Sequence, residues 1–458
     1  MKISENLFQK YNVPVPRYTS YPPATAFQTG FTGVDFIEQT KRSNSATPEN
    51  ISIYIHIPFC PQRCHFCGCN TAIYQSEEKI YRYIQRLKKE IEYIAQFIDK
   101  KRLITQISWG GGTPNSIKMS YIKEIMDLLR SLFLLADFAE IAMECSPAYL
   151  DLKDIDSLAE IGFNRISLGI QDFHTEVLDA INRKSPRIDV NETLAYMKKK
   201  GFRGLNIDLV YGLPLQTIES FKENIQRVIE LQPDRIATFS YAHVPWVNPA
   251  QKVLEKYAFP ESDEKLSMLV YAINQLSANG YEVIGMDHFA RKDDELSIAK
   301  YDKNLHRNFQ GYNTKKTTGQ VYAFGASGIS QLNGCYAQNI KSIDKYIEAV
   351  DTNSIAIERG YIMSKNDMLI RDTINEIMCN GYIDFAEIAS KNSCSVQQFL
   401  EITGFNSFKI AELINDGLVE VSETSVQVKE TGMLVVRNIA AAFDPKYSPT
   451  QNKFSTTI

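Results

Sequence analysis

The sequence predicts an α/β protein: a parallel sheet curled into a partial (β/α) barrel, with an irregular N-terminal arm and a small, mainly helical C-terminal domain. Three observations carry this reading. From residue 51 to about residue 290, short β-rich runs alternate with amphipathic helical stretches, the pattern of successive βαβ units. The first 35 or so residues are rich in Pro, Tyr and Thr and show no periodicity. Beyond residue 360 the alternation gives way to short helical patterns and one hairpin-like pair. The expected domains are an arm over 1–45, a barrel with an extension over 46–355, and a winged-helix-like domain over 356–458.

The strand candidates are "ISIYIHI" (51–57), "LITQISW" (103–109), "AEIAMEC" (139–145), "NRISLGI" (164–170), "GLNIDLVYG" (204–212) and "RIATFSY" (235–241), with a seventh, "YEVIGM", at 281–286. Between them, "EEKIYRYIQRLKKEIEYIAQFI" (77–98) and "ESFKENIQRVIEL" (219–231) repeat apolar residues at helical spacing. A complete barrel has eight such units, so six or seven make a partial one; an open doubly wound sheet is the rival architecture. In either, chemistry belongs at the C-terminal ends of the strands. The polar and glycine signals gather there: a cysteine cluster after the first strand, "GGGTP" (110–114) after the second and Glu144 at the end of the third. Gln171 and Asp172 follow the fourth, Asp208 lies late in the fifth, and "YAHVP" (241–245) closes the sixth.

Composition narrows the class. The chain has 458 residues, 44% of them hydrophobic and 23% charged, as in a water-soluble globular protein. A formal net charge of −4 gives no general attraction to nucleic acid or anionic membranes. The C-terminal segment is not basic, so its winged-helix flavour reads as packing or substrate cover rather than DNA binding. The N-terminus lacks the pattern of a secretory signal and no apolar run is long enough for a membrane span, so the expected location is the cytoplasm. Thiols stay reduced there, and clustered cysteines read as metal ligands or redox groups. The scattered Cys145, Cys335, Cys379 and Cys394 read as small buried apolar residues.

Half of the eight cysteines fall within "HIPFCPQRCHFCGCN" (56–70). Cys60, Cys64 and Cys67 form C-x3-C-x2-C, and Cys69 follows two residues later. A structural zinc site usually draws on two separated ligand pairs, and no second pair exists here. Thiol exchange would use one C-x2-C and leave Cys60 unexplained. An iron–sulfur cluster suits a compact run of thiolates best. With three thiolates on a [4Fe–4S] cluster, one iron keeps an open position for a small chelating molecule.

C-x3-C-x2-C after a first barrel strand resembles the radical S-adenosylmethionine (SAM) superfamily, in which the open iron chelates SAM. The likeness reaches further. "PRYTSYP" (16–22), "YIHIPFCPQRCHFCGCN" (54–70), "WGGGTP" (109–114), "GIQDF" (169–173), "NIDLVYGLP" (206–214), "GMDHFARKDDEL" (285–296), "HRNFQGY" (306–312) and "CYAQN" (335–339), in this order, resemble the family of oxygen-independent coproporphyrinogen III oxidases, and "RNIAAAFD" (437–444) continues it. Two segments depart from the family pattern: "ECSP" has Ser146 where an acidic residue is more usual, and "AFGASGIS" (323–330) is altered.

The resemblance implies that Cys60, Cys64 and Cys67 hold the cluster while Cys69 stays unligated. It implies two SAM molecules. Tyr54, Phe66, Gly111, Glu144 and Ile329 match contacts to the one on the cluster. Gly112, Thr113, Gln171, Arg183, Asp208 and Ala242 match positions around the second. Tyr54, Cys69 and Arg17 are the candidate catalytic residues. Arg17 is favoured over His288, Arg291, His306 and Arg307 as a contact for the propionates of coproporphyrinogen III, because the arm could fold over the barrel mouth. The implied reaction is oxidative decarboxylation of two propionates to vinyl groups, giving protoporphyrinogen IX for haem synthesis without oxygen. The implied partners are a low-potential electron donor such as flavodoxin or ferredoxin and a final electron acceptor of unspecified identity, with no nucleic acid or membrane and a monomeric chain. A haem-carrying chaperone and a haem-ring-opening radical SAM methyltransferase are the alternatives. They typically lack the "GCN" cysteine or diverge at "PRYTSYP" and the second SAM positions, and this chain keeps all of these.

Overall fold

The structure, a computed structural model, describes residues 5–73 and 76–448. It divides into two compact units. Among the described residues, one comprises 27–260 and 317–362, and the other comprises 5–26, 261–316 and 363–448.

The first unit is built on a sheet whose six leading strands are β1 (Ile51–Ile57), β2 (Leu103–Gly111), β3 (Leu134–Cys145), β4 (Arg165–Gln171), β5 (Gly204–Tyr211) and β6 (Arg235–Ser240). All six predicted runs form, most within a residue or two of the expected limits; β3 begins five residues early. Four further strands follow: β7 (Gln320–Phe324), β8 (Ile329–Leu332), β9 (Cys335–Asn339) and β10 (Ile357–Ile362). Within this unit the spatial order is β10-β9-β8-β7-β1-β2-β3-β4-β5-β6. Pairing is parallel from β7 through β1 to β6 and antiparallel from β7 to β10. The seventh parallel strand is therefore 320–324, which lies beside the first, and not 281–286.

Each crossover carries helix. These are α1 (Glu77–Ala95), α2 (Met119–Leu132), α3 (Leu152–Ile161), α4 (Thr175–Ala180) with α5 (Val190–Lys199), and α6 (Ile218–Leu231). Side-chain caps start most of them: Ser76 accepts from the Lys79 amide, and Asp151 and Thr217 form reciprocal capping boxes. The strands read as nearly continuous apolar runs because parallel strands are covered on both faces; Ile51, Ile53, Ile55 and Ile57 are all buried.

In the second unit, residues 281–285 do form a strand, but it turns back at Met286 and pairs antiparallel with His288–Arg291. Only Met286 and Asp287 separate the two strands, far fewer residues than a parallel crossover requires. Met286 takes a positive φ of 51°. The arm is less irregular than its composition suggests, since Glu5–Tyr11 is helical; residues 1–4 lie outside the described residues. The hairpin-like pair is Val419–Val421 with Ser425–Val428, and Tyr382–Asp384 adds a third strand. Cys145, Cys335 and Cys379 are buried as expected, whereas Cys394 is half-exposed.

A buried carboxylate ties α1 to the strands around β7. Glu90 accepts from the Gly325 amide at 2.9 Å, Asn339 Nδ2 at 2.6 Å and the Tyr346 hydroxyl at 2.6 Å. Two turns of helix earlier, the Tyr83 hydroxyl donates to the His56 carbonyl at 2.8 Å and accepts from the Ala326 amide at 2.9 Å. Burial pushes the Glu90 carboxyl up to about 7. Replacing Glu90 by Ala removes an acceptor from three buried donors, of which Asn339 Nδ2 keeps its bond to the Gly325 carbonyl, and we expect it to cost about 2 kcal/mol. The folded state holds a proton that the unfolded chain releases above about pH 4.5. The native contribution is therefore full below that pH and declines as pH rises through about 7. Melting curves of wild type and Glu90→Ala between pH 5 and 8 should show the gap narrowing with rising pH.

Candidate active site

The cysteine loop leaves β1 at Pro58. Phe59–Cys60 pairs in parallel with Ala72–Ile73, which closes the loop at its base. Its far side is clamped after α4: the His65 amide donates to the Ile181 carbonyl, Gln62 Nε2 donates to Asn182 Oδ1 and Asn182 Nδ2 donates to the Arg63 carbonyl. Thr113 Oγ1 lies 3.4 Å from Cys60 Sγ, and Arg183 Nη1 lies 3.5 Å from Cys64 Sγ. Both contacts favour sulfur in its anionic form, against the burial that raises the Cys60 and Cys64 thiols. A hydrogen bond between Cys67 and Cys69 draws Cys67 down and pushes Cys69 up.

Cys60, Cys64 and Cys67 line one cavity. Among the described residues, no group of three or more His, Cys, Asp or Glu side chains is placed to hold a single metal ion. A closed zinc site needs its donors around one ion. An iron–sulfur cluster instead spreads its thiolates, because each one takes a different iron. The donor set fits a cluster.

The cavity wall is built by the strand ends. At the end of β2 the chain passes so close to its neighbours that side chains have no room. A Cβ on Gly110 would lie 2.8 Å from Glu144 Oε2, and one on Gly111, whose φ is 112°, would lie 2.7 Å from the His56 ring. The Gly112 and Thr113 amides donate to the Ile57 and Phe59 carbonyls, which fastens "GGGTP" beneath the cysteine loop. Glu144, in β3, is pushed up to about 7 by desolvation and by Asp208, against a hydrogen bond from the Gly111 amide.

Gln171 ends β4 with φ 72°, and Arg183 donates to the Gly169 carbonyl beside it. Asp208 accepts from Ser167 Oγ and Asn206 Nδ2, each at 2.7 Å. Phe66, Gly111, Gly112, Thr113, Glu144 and Gln171 line the same cavity as the three thiols. Arg183, Asp208 and Cys69 line it too. Tyr54 sits behind this wall with its hydroxyl 3.2 Å from His56 Nδ1. Ala242 is exposed just after β6, and Ile329 is half-buried at the start of β8.

Arg17 belongs to the second unit, where it pairs with Asp287 at 3.4 Å. Asp287 also accepts from His288 Nδ1 at 2.8 Å, and Arg307 donates to the Arg17 and Tyr18 carbonyls. His306 is half-buried with its Nδ1 2.9 Å from Asn375 Nδ2, and desolvation lowers it to about 4. Arg291 bonds exposed Asp293.

Sequence reasoning missed Ser167 and Asn206, and it named Asp172, which is buried, only as one of the polar signals at the strand ends. Ser167 lines the cavity and, with Asn206, holds Asp208 in place. Their signal was period-2 alternation: Asn206 and Asp208 share one face of an otherwise apolar strand. Asp172 anchors "GIQDF". It accepts from Gln216 Nε2 at 2.6 Å, Asn224 Nδ2 at 2.9 Å and the His174 amide at 2.7 Å. Its only sequence cue was an acid after a strand, which reads equally well as a helix cap.

Thiols spaced C-x3-C-x2-C at the rim of a parallel (β/α) sheet define the class, and residues 54–228 match the model of the Radical SAM superfamily. The chain is 39% identical to the oxygen-independent coproporphyrinogen III oxidase of Synechocystis sp., over 100% of this chain and 98% of that one. It is 40% identical to the enzyme of that name from Escherichia coli, over 96% and 94%. The solved structure of coproporphyrinogen III oxidase from Escherichia coli, described as a radical SAM enzyme, superposes with a TM-score of 0.90 at 38% identity, covering 98% of this chain and 100% of that one. The chain belongs to the family of oxygen-independent coproporphyrinogen III oxidases.

Asp172→Ala should strand the Gln216 and Asn224 donors in the interior and release the turn at Gln171. We expect a loss of about 2–4 kcal/mol, seen as a lower thermal midpoint, with Gln216→Glu giving a similar loss by placing two carboxylates together.

Proposed function

We propose that this protein removes two propionate carboxyl groups from coproporphyrinogen III without oxygen, leaving vinyl groups and forming protoporphyrinogen IX. The observation that carries the proposal is the gathering of Cys60, Cys64 and Cys67 in one cavity with Gly111, Glu144 and Asp208. Each propionate loses carbon dioxide, one hydrogen atom to the radical and one electron to a final electron acceptor. Cys60, Cys64 and Cys67 would hold a [4Fe–4S] cluster, which with SAM would supply the hydrogen-abstracting 5′-deoxyadenosyl radical.

The chain's own groups bind and orient. Glu144 offers a carboxylate to an ammonium, and the backbone at Gly111–Gly112 lets a ligand approach without side-chain obstruction. Asp208, held by Ser167 and Asn206, is oriented to accept from ribose hydroxyls. We place a second SAM at Gly112, Thr113, Gln171, Arg183, Asp208 and Ala242; the cavity position of the first five supports this. Tyr54 and Cys69 act beside the first SAM. Arg17 meets a substrate propionate, a role supported by its half-exposed guanidinium and by the cationic Arg307 that holds the arm's backbone.

The reading includes a monomer in the cytoplasm, where clustered thiols stay reduced, and a low-potential protein donor. No helix among the described residues is long and apolar enough to cross a membrane.

The test is anaerobic. After reconstitution with iron and sulfide and reduction, SAM should give 5′-deoxyadenosine only when coproporphyrinogen III is present, with loss of two carboxyl groups. A loaded chain that leaves the tetrapyrrole untouched refutes the proposal. Cys60→Ser, Cys64→Ser and Cys67→Ser should each lose the cluster's visible absorbance and bound sulfide. Cys69→Ser should keep both and lose turnover. Equilibrium dialysis against labelled SAM should give two bound molecules per loaded chain.

A further inference from the structure

We infer that the segment after β6, around Trp246, is the docking surface for the small acidic redox protein that delivers electrons to the cysteine site. The inference rests on the reading that Cys60, Cys64 and Cys67 hold a reducible cluster.

Trp246 and Val247 are adjacent in sequence and 77% and 73% exposed. Burying a tryptophan is among the largest apolar gains available to a side chain. Two adjacent large apolar groups left in water, with Val253 also exposed a few residues on, form a patch with no structural use inside the unit. The segment is nevertheless tied to the cysteine loop. Asn248 Nδ2 donates to the Cys67 carbonyl at 2.7 Å, Gln251 Nε2 donates to the Phe66 carbonyl at 3.3 Å, and Arg63 Nη2 lies 3.3 Å from Asn248 Oδ1. A partner resting on Trp246 therefore stands one hydrogen-bonded layer from two cluster-loop carbonyls, one of them on a ligand residue.

Charge selects the partner. The whole chain is acidic, with a net charge of −4, yet residues 58–74 contain Arg63 and no Asp or Glu. Lys252 and Lys256 are exposed on the neighbouring segment, and Arg63 and Lys256 both lie close enough to the His65 ring to act on it electrostatically. The acid among them, Glu255, faces His243 at 3.4 Å. An apolar centre with a basic rim on an acidic protein fits an acidic partner, steered by charge and held by a small aromatic contact. Electron-transfer encounters are small, burying less than about 1,200 Å² in total. One electron passes from the reduced donor to the cluster; the donor is oxidised by one electron, the cluster is reduced by one, and no bond forms or breaks.

The experiment compares two reductants on the reconstituted full chain. Photoreduced flavodoxin is the protein probe and photoreduced deazaflavin the small one; cluster reduction is followed by loss of visible absorbance, and flavodoxin binding by biolayer interferometry. We expect Lys252→Glu/Lys256→Glu to slow reduction by flavodoxin about tenfold at low salt, with the difference shrinking as salt rises. Trp246→Ala should weaken flavodoxin binding by about tenfold. Neither variant should alter reduction by deazaflavin. Equal slowing with both reductants, unchanged rates with both, or a change in oligomeric state with Trp246→Ala would each overturn the inference. A chain that accepts electrons through this surface yet spares coproporphyrinogen III would instead remove the substrate assignment and leave the docking surface standing.

Discussion

The site depends on how closely the backbone can approach itself at the end of β2. Gly110 lies against the Glu144 carboxylate and Gly111 against the His56 ring, at distances where any Cβ would force one neighbour aside. That contact lets the Gly112 and Thr113 amides reach the Ile57 and Phe59 carbonyls, and so seats the cysteine loop on the strand ends. Other features follow from it. Thr113 stands beside Cys60 because the turn is tight, and Glu144 faces the cavity because nothing larger than hydrogen lies in front of it. A methyl group at either glycine would disturb the carboxylate, the imidazole and the cysteine loop together.

Around this contact the chain stabilises the turns that bear functional groups with buried polar anchors. Asp172 holds three donors from two segments and fixes the left-handed Gln171. Glu90 does the same for the turn after β7. Such anchors cost desolvation and repay it only with every bond made. They place the least regular parts of the barrel as firmly as its strands.

Much of this was legible in the sequence. The six leading strands were visible because a parallel sheet covered on both faces demands unbroken apolar runs, and the rim residues followed from where those runs end. Less legible was the closing edge. "QVYAF" is five residues long and is reached without a preceding helix, so it lacks the alternation that marks a βαβ unit. "YEVIGM" has strand composition, but its direction depends on the two-residue turn after it. In the site, the cysteine spacing and the glycine run stood out because few structural roles require them. Ser167 and Asn206 did not, since a polar residue within a strand has many ordinary uses. Family likeness named Tyr54, Ala242 and Ile329, which the cavity itself does not include.

The placement of β7 has a consequence for how the molecule comes into being. β1, which leads directly into the cysteine loop, gains its second neighbour only from residues 320–324. During synthesis, one edge of the strand nearest the thiols stays open until about seven-tenths of the chain has been made, and the Tyr83 and Glu90 bonds to residues 325–346 must wait equally long. The nascent cysteine loop therefore spends most of translation on an unfinished support.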